Sequence, residues 1–392
     1  MSDEHNNITP IFPEEGEKPP KKHRLKNRWL AFILIVLVVI AVVVVILLSN
    51  STALDSLKRF FRYLGVDSHS RTIRFDAYGN SSYAVVDDSF AVASQSGLSV
   101  YSEGGSRLLS LSGGFSHPLL VTSDDLALLY DLGGTRFALF DAEGEILFDL
   151  TASGRIFDAD LCENGTCAVL YEGTDCHAVL ELYSRKGAKL YAHRSESAFL
   201  NTCALSPDGS LAVVTTLGQE DISFLSGARI LPTTKEGVRA TFSFATQVIC
   251  DVAFLDDETI CAIGEDTVFF FDADGKLLCE YENAEAGLAA YRFGNDCLLA
   301  LYDSYDMSQG YSLVCLSPEG KVTASLRLEE EPTALSVNER YVCVLTSEGV
   351  LIYDTDLTLR SRTENVGYLA ALARHDGTAL CITSSEAVLF IP

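Results

Sequence analysis

The chain has 392 residues, 54 of them acidic and 29 basic, for a formal charge of −25 at neutral pH. Hydrophobic residues make up 48 % of it, enough for one large domain or two ordinary ones. Residues 71–392 hold 20 basic against 47 acidic residues, a net −27, and that field excludes nucleic acid as a partner.

Residues 1–28 are polar and Pro-rich, with too few apolar side chains to bury a core, so they read as a disordered tail. Residues 29–48, WLAFILIVLVVIAVVVVILL, carry no charge. Twenty residues rising about 1.5 Å each cross a hydrocarbon layer of about 30 Å as a helix. A cleaved signal peptide would have an apolar region of roughly 7–15 residues and a small-x-small site; this run is longer and is followed by no such site. It reads as an uncleaved signal anchor. Lys21, Lys22, Arg24, Lys26 and Arg28 crowd its N-terminal side, whereas Lys58, Arg59 and Arg62 begin ten residues past its end. The positive-inside rule then puts the tail in the cytoplasm and all that follows the anchor outside the cell membrane.

Residues 49–70 form a juxtamembrane linker. Leu54, Leu57, Phe61 and Leu64 repeat at helical spacing, with Asp55, Lys58, Arg59 and Arg62 off that stripe and Gly65 placed to end the helix. Such an amphipathic neck either lies on the outer leaflet or packs against the domain that follows. Both readings stand.

From residue 71 onward helical periodicity gives way to short runs of β-formers separated by turns. The clearest copy is Leu205-Ser-Pro-Asp-Gly-Ser-Leu-Ala-Val-Val-Thr215, in which Pro presets one turn angle and Gly supplies a positive φ. Its second strand recurs as runs beginning at Phe90, Leu126, Cys167, Leu211, Ile260, Leu298, Val342 and Ala379, about 41 residues apart on average. A second hairpin interleaves with the first: Leu139-Phe-Asp-Ala-Glu-Gly-Glu-Ile-Leu147 matches Phe270-Phe-Asp-Ala-Asp-Gly-Lys-Leu-Leu278. Two hairpins per period means four strands per unit, the signature of a propeller blade. The expected fold is all-β: an eight-bladed propeller of four-stranded antiparallel blades over residues 71–392, preceded by one transmembrane helix. An irregular fourth unit, with an insertion over 218–237, leaves seven blades as the alternative. The last unit stops after its third strand, and residues 71–75 are placed to supply the missing outer one.

The segment 205–213 resembles the core of WD40-like repeats of bacterial periplasmic propellers. The whole arrangement is similar to a family of bacterial single-pass membrane proteins, of unknown function, with an extracytoplasmic WD40-like propeller. The Trp-Asp ending of true WD40 repeats is absent, and the only tryptophan, Trp29, lies in the anchor. The resemblance implies a fold and a location, and no activity.

Of eleven cysteines, Cys203, Cys250, Cys261, Cys297, Cys343 and Cys381 read as small apolar residues within strands. Cys162 and Cys167 flank an Asn164-Gly165 turn. A two-residue loop would make them a non-hydrogen-bonded pair with Cα atoms about 4.5 Å apart, within reach of a disulfide. Cys176 and His177 lack the spacing of a zinc site. Asp272-Ala-Asp-Gly275 lacks the later ligands of a calcium loop and reads as a hairpin turn. No G-x-S-x-G, phosphate loop or H-E-x-x-H occurs, so the sequence nominates no catalytic residue, cofactor or metal. The expected role is a tethered scaffold that binds a protein or cell-envelope ligand through the propeller face. The alternative is a lyase or hydrolase acting on envelope glycans in the central channel. It needs ionisable groups on the innermost strands, and the runs assigned to them, such as Tyr83-Ala-Val-Val86, Thr202-Cys-Ala-Leu205 and Leu369-Ala-Ala-Leu372, are mostly apolar or small.

Overall fold

A computed structural model of the chain describes residues 32–38, 51–64, 71–220, 223–244, 247–294, 296–306 and 308–392. The expected tail (1–28) lies outside them, as do most of the apolar run and residues 65–70. Within that run, residues 32–38 are helical. Among the described residues no helix is long and apolar enough to cross a membrane. The chain divides into two compact units, Met1–Leu57 and Lys58–Pro392.

The second unit is built of eight four-stranded antiparallel sheets, which settles the blade number at eight. Blades 1 to 7 occupy residues 81–112, 118–151, 156–195, 199–244, 251–282, 286–328 and 332–364. Within each, the strands are hydrogen-bonded in chain order from the innermost outwards. Blade 8 takes three strands from residues 370–390 and its outer strand from Thr72–Arg74, paired with Glu386–Phe390 through Thr72↔Val388 and Arg74↔Glu386. Strand exchange between the two ends closes the ring and removes open sheet edges.

The second strands are continuous apolar runs because neighbouring blades cover both their faces. Ser89–Ser94, Leu126–Asp131 and Tyr341–Thr346 are buried at every position. Outer strands alternate instead, as in Leu277–Glu282, because one end and one edge meet solvent. Eight apolar clusters fill the eight gaps between successive blades, the last joining Ile73 and Phe75 to Phe90, Leu380 and Leu389 across the closure. The insertion in blade 4 proves to be a lengthened hairpin: its second and third strands, Leu211–Glu220 and Ser223–Pro232, run to ten residues each.

Candidate functional site: two unlike faces of the ring

Chain direction gives the ring two faces. The turns from inner to second strand and from third to outer strand lie on one; the turns from second to third strand and the links between blades lie on the other. The chain enters the ring on the first, which we call the neck face.

The neck helix, Ser51–Arg62, ends there. Tyr63 continues it by one hydrogen bond, its N–H donating to the Arg59 carbonyl at 2.9 Å. The Tyr63 side chain is 5 % exposed, and its hydroxyl donates to Glu103 Oε1 at 2.6 Å and contacts Asp376 Oδ2 at 3.0 Å. Arg374, 3 % exposed, bridges Asp88 at 2.8 Å and Glu103 at 3.4 Å. Arg62 reaches the same two carboxylates at 2.6 and 3.0 Å. Arg71 adds a contact to Glu103 at 3.1 Å, and Arg59 donates to the Asp376 carbonyl at 3.0 Å. Asp88 and Glu103 belong to turns of blade 1, Arg374 and Asp376 to a turn of blade 8. The neck therefore pins the two blades that strand exchange joins. Burial would push Glu103 and Asp376 up, but Tyr63, Arg374 and Arg62 outweigh it at Glu103, and Arg374 with the Thr378 hydroxyl and N–H outweighs it at Asp376, so both are held below the usual carboxylate range. Of the two readings of the neck, its end packs against the domain. It does so with arginines and a tyrosine rather than with its apolar stripe, since Phe61 and Leu64 are 67 % and 65 % exposed.

Inside this lock the neck face opens into a funnel of about 710 Å³, lined by Asp87, Asp124, Asp125, Glu163, Glu339, Arg340 and His375 above apolar inner-strand residues. Among the described residues, Asp87, Asp88 and His375 alone bring three metal-ligating atoms within 4.8 Å of one another. Both Asp88 oxygens are already held by Arg62 and Arg374, so the cluster is the edge of the ion-pair lock and a poor cation cradle.

Deeper in the ring, the inner strand of blade 3, Ile156–Leu161, carries Asp158 and Asp160. The apolar runs expected to form inner strands do not include this segment. An innermost strand has no neighbour on its axial edge, so its backbone groups need other partners. Asp158 Oδ2 accepts the Cys203 N–H at 2.9 Å and Asp160 Oδ2 the Leu205 N–H at 2.7 Å, tying blade 3 to blade 4. Ser82 does the same for Leu120 N–H and Ser336 for Ala373 N–H. Asp158 Oδ1 accepts from Tyr130 and Ala159, and Asp251 in blade 5 accepts from Tyr291 and Val252. Desolvation, reinforced by the charges of Asp251 and Asp160, raises Asp158 to about 7 despite the Cys203 N–H. Burial also raises Asp160, to about 6, and Asp251. Three mutually repelling carboxylates thus line the inner belt, each spent on backbone or tyrosine donors.

Both faces expose apolar side chains, the neck face at the starts of outer strands (Leu108, Leu190, Leu278, Val322, Leu359) and the far face on its loops. Tyr78 (72 % exposed), Phe199 (57 %), Tyr305 (68 %), Val366 (70 %) and Leu369 (60 %), with Leu132, stand on its loops and strand ends. His117, Leu132, Phe157, Phe199, Leu200 and Leu217 line a mostly apolar groove of about 600 Å³ across blades 2 to 4, next to the lengthened hairpin of blade 4. His177 packs against Phe199, the rings tilted by 46° with centroids 4.4 Å apart, far from the neck-face turn that holds Cys162.

The structure does not bring Cys162 and Cys167 together. The turn hydrogen bond joins Gly165 N–H to the Cys162 carbonyl, and Asn164 Oδ1 takes the Thr166 N–H. This three-residue bulged loop pairs Leu161 with Cys167. A shift of one residue moves a side chain to the other face of a sheet. Cys167 accordingly packs between blades 2 and 3 and Cys162 between blades 3 and 4. Both thiols are free, and that of Cys162 donates to Asn164 Oδ1 at 3.2 Å. Cys250, read as a strand residue, lies just before its strand and is exposed. Asp272 caps a hairpin turn, its Oδ1 accepting the Asp274 and Lys276 N–H groups.

Residues 60–365 match the model of a family described as a family of unknown function, DUF5711. The match begins within the last turn of the neck helix. No curated protein matches the chain. Among solved structures, the C-terminal WD40 domain of Sif2 superposes with a TM-score of 0.59 at 13 % identity, over 82 % of this chain and 97 % of that one. A hydrazine synthase chain from Kuenenia stuttgartiensis gives 0.49 at 14 % identity, over 68 % and 92 %. The Sif2 likeness is one of fold, a WD40-like propeller.

Proposed function

We propose, for a chain that belongs to the DUF5711 family, that it is a tethered binding module: an anchor at residues 29–48 holds it at the membrane, and the face of the ring opposite the neck takes a protein or cell-envelope partner. One observation carries this reading. The neck occupies one face through an ionic lock, and the other face carries an apolar groove that includes Leu132 and the exposed Phe199, beside the lengthened hairpin of blade 4. Loops on a rigid frame are where binding usually resides, and Leu132 and Phe199 share an apolar groove with Phe157, Leu200 and Leu217, the kind of concave surface that takes a ligand.

Catalysis in the channel is less well supported. A glycan lyase or hydrolase needs a carboxylate free to move a proton, and Asp158, Asp160 and Asp251 are occupied by backbone and tyrosine donors. The test is the triple variant Leu132→Ser, Phe199→Ser, Leu369→Ser in native membranes. We expect the wild-type chain to migrate as a larger assembly on native gels and the folded variant to migrate alone. Unchanged migration of the variant would remove the far face as the binding surface.

A further inference from the structure

The end of the neck presents two unlike sides. Arg59, Arg62 and Tyr63 bind the ring, whereas Phe60, Phe61 and Leu64 are 60, 67 and 65 % exposed. At about 100° per residue the two groups are centred roughly 150° apart. Helical spacing in the sequence sets Leu54 and Leu57 on the apolar line with Phe61 and Leu64. Leu48, the last residue of the apolar run, and Ser51, the first of the helix, are separated by only two residues, a reach of about 10 Å at full extension.

We propose that this apolar side of the neck, Phe60, Phe61 and Leu64, lies in the headgroup–acyl boundary of the lipid bilayer, with the propeller held on its opposite side. The proposal rests on the tethered reading above and adds what the neck touches. An interfacial helix buries its apolar face about 5–10 Å into that boundary, within the reach of the two-residue connection. The neck arginines that would otherwise compete for lipid phosphates are already engaged by the ring, Arg62 with Asp88 and Glu103 and Arg59 with the Asp376 carbonyl. The neck also acts as a spacer. A propeller region of net −27 is repelled by anionic lipid, and a helix about 10 Å across holds it off by about one Debye length at physiological salt.

The experiment uses the full chain in lipid nanodiscs. Trp29→Phe removes the only native indole, and Phe61→Trp or Phe199→Trp supplies a single reporter on the neck or on the far face. Quenching by lipids brominated near the headgroup is compared with quenching by aqueous iodide. We expect bromolipid to quench the indole at 61 at least threefold more than that at 199, and iodide to show the reverse order. Iodide quenching at 61 equal to that at 199 overturns the proposal. Shielding of 61 from both quenchers, the mark of a second copy packed on the stripe, overturns it too. A chain that fails to enter the bilayer overturns it together with the tether. Failure of the far-face reading shows separately, in the native-gel migration of the serine variant, and leaves the quenching order untouched.

Discussion

On the neck face, two turns of blade 1 and one of blade 8 gather Asp88, Glu103, Arg374 and Asp376 around Tyr63, with Tyr63, Arg374 and Asp376 buried and Asp88 and Glu103 partly exposed. On the far face, loops of the same ring carry Tyr78, Tyr305 and Val366 into solvent, each about two-thirds exposed or more, and Phe199 stands half-exposed beside His177. Charged side chains buried at one end serve closure, since ordering them requires every carboxylate to be matched. Apolar side chains exposed at the other end add nothing to the folded ring by being exposed. The contrast separates residues kept for stability from residues kept for contact, and substitution can probe each end independently.

The largest effect is expected from Arg374→Ala, which removes the buried guanidinium from Asp88 and Glu103 and leaves both to Arg62. Hydrogen bonds to charged groups contribute about 1.5–3 kcal/mol each, and their loss is read as a lower urea midpoint of the detergent-solubilised chain. Tyr63→Phe keeps the ring packed but deletes the hydroxyl that serves Glu103 and Asp376, for a loss of about 1–3 kcal/mol. Phe199→Ser, at an exposed site, should stay within about 0.5 kcal/mol of wild type. A Phe199→Ser loss comparable to that of Arg374→Ala would erase the distinction between the faces.

The inner belt gives a pH test with the opposite sign from the seam. Asp158 and Asp160 titrate higher in the folded state than in the unfolded chain, so their contribution is fully present below about pH 4 and is lost as pH rises through about 6 to 7. Glu103 and Asp376 are held low, so theirs is present above the ordinary carboxylate range and is lost as pH falls through it. The melting temperature should therefore peak near pH 5 and be lower at pH 8. Asp158→Asn still accepts the Cys203 N–H and should flatten the alkaline limb. An alkaline limb unchanged by the substitution would mean that these carboxylates do not set it.

Much of the ring was legible because double coverage writes itself into sequence: a strand buried on both faces must be apolar throughout, and eight such runs announce eight blades. The closing strand was legible because a three-stranded last unit leaves an open edge. The lock was not legible. Tyr63, Asp88, Glu103, Arg374 and Asp376 are scattered over more than 300 positions, and only closure of the ring collects them. The sole local hint is Arg374, a charge at the end of the apolar strand Ala370–Ala373. The belt left a clearer trace in Phe157-Asp-Ala-Asp-Leu161, where two carboxylates interrupt an inner strand. Cys162 and Cys167 were misregistered by one residue because Asn164-Gly165 fits both a two-residue and a three-residue bulged turn, and the Asn164 carboxamide selects the latter.

The central claim, that the face opposite the neck is the one that meets a partner, is tested most directly by a photo-crosslinking scan in native membranes. A photoreactive side chain is placed singly at Phe199, Tyr305 and Val366 on the far face, and at Asp125 and Glu339 on the neck face. The account predicts a discrete protein or envelope-polymer adduct from the three far-face positions and none from the other two. Adducts confined to Asp125 and Glu339 would contradict it.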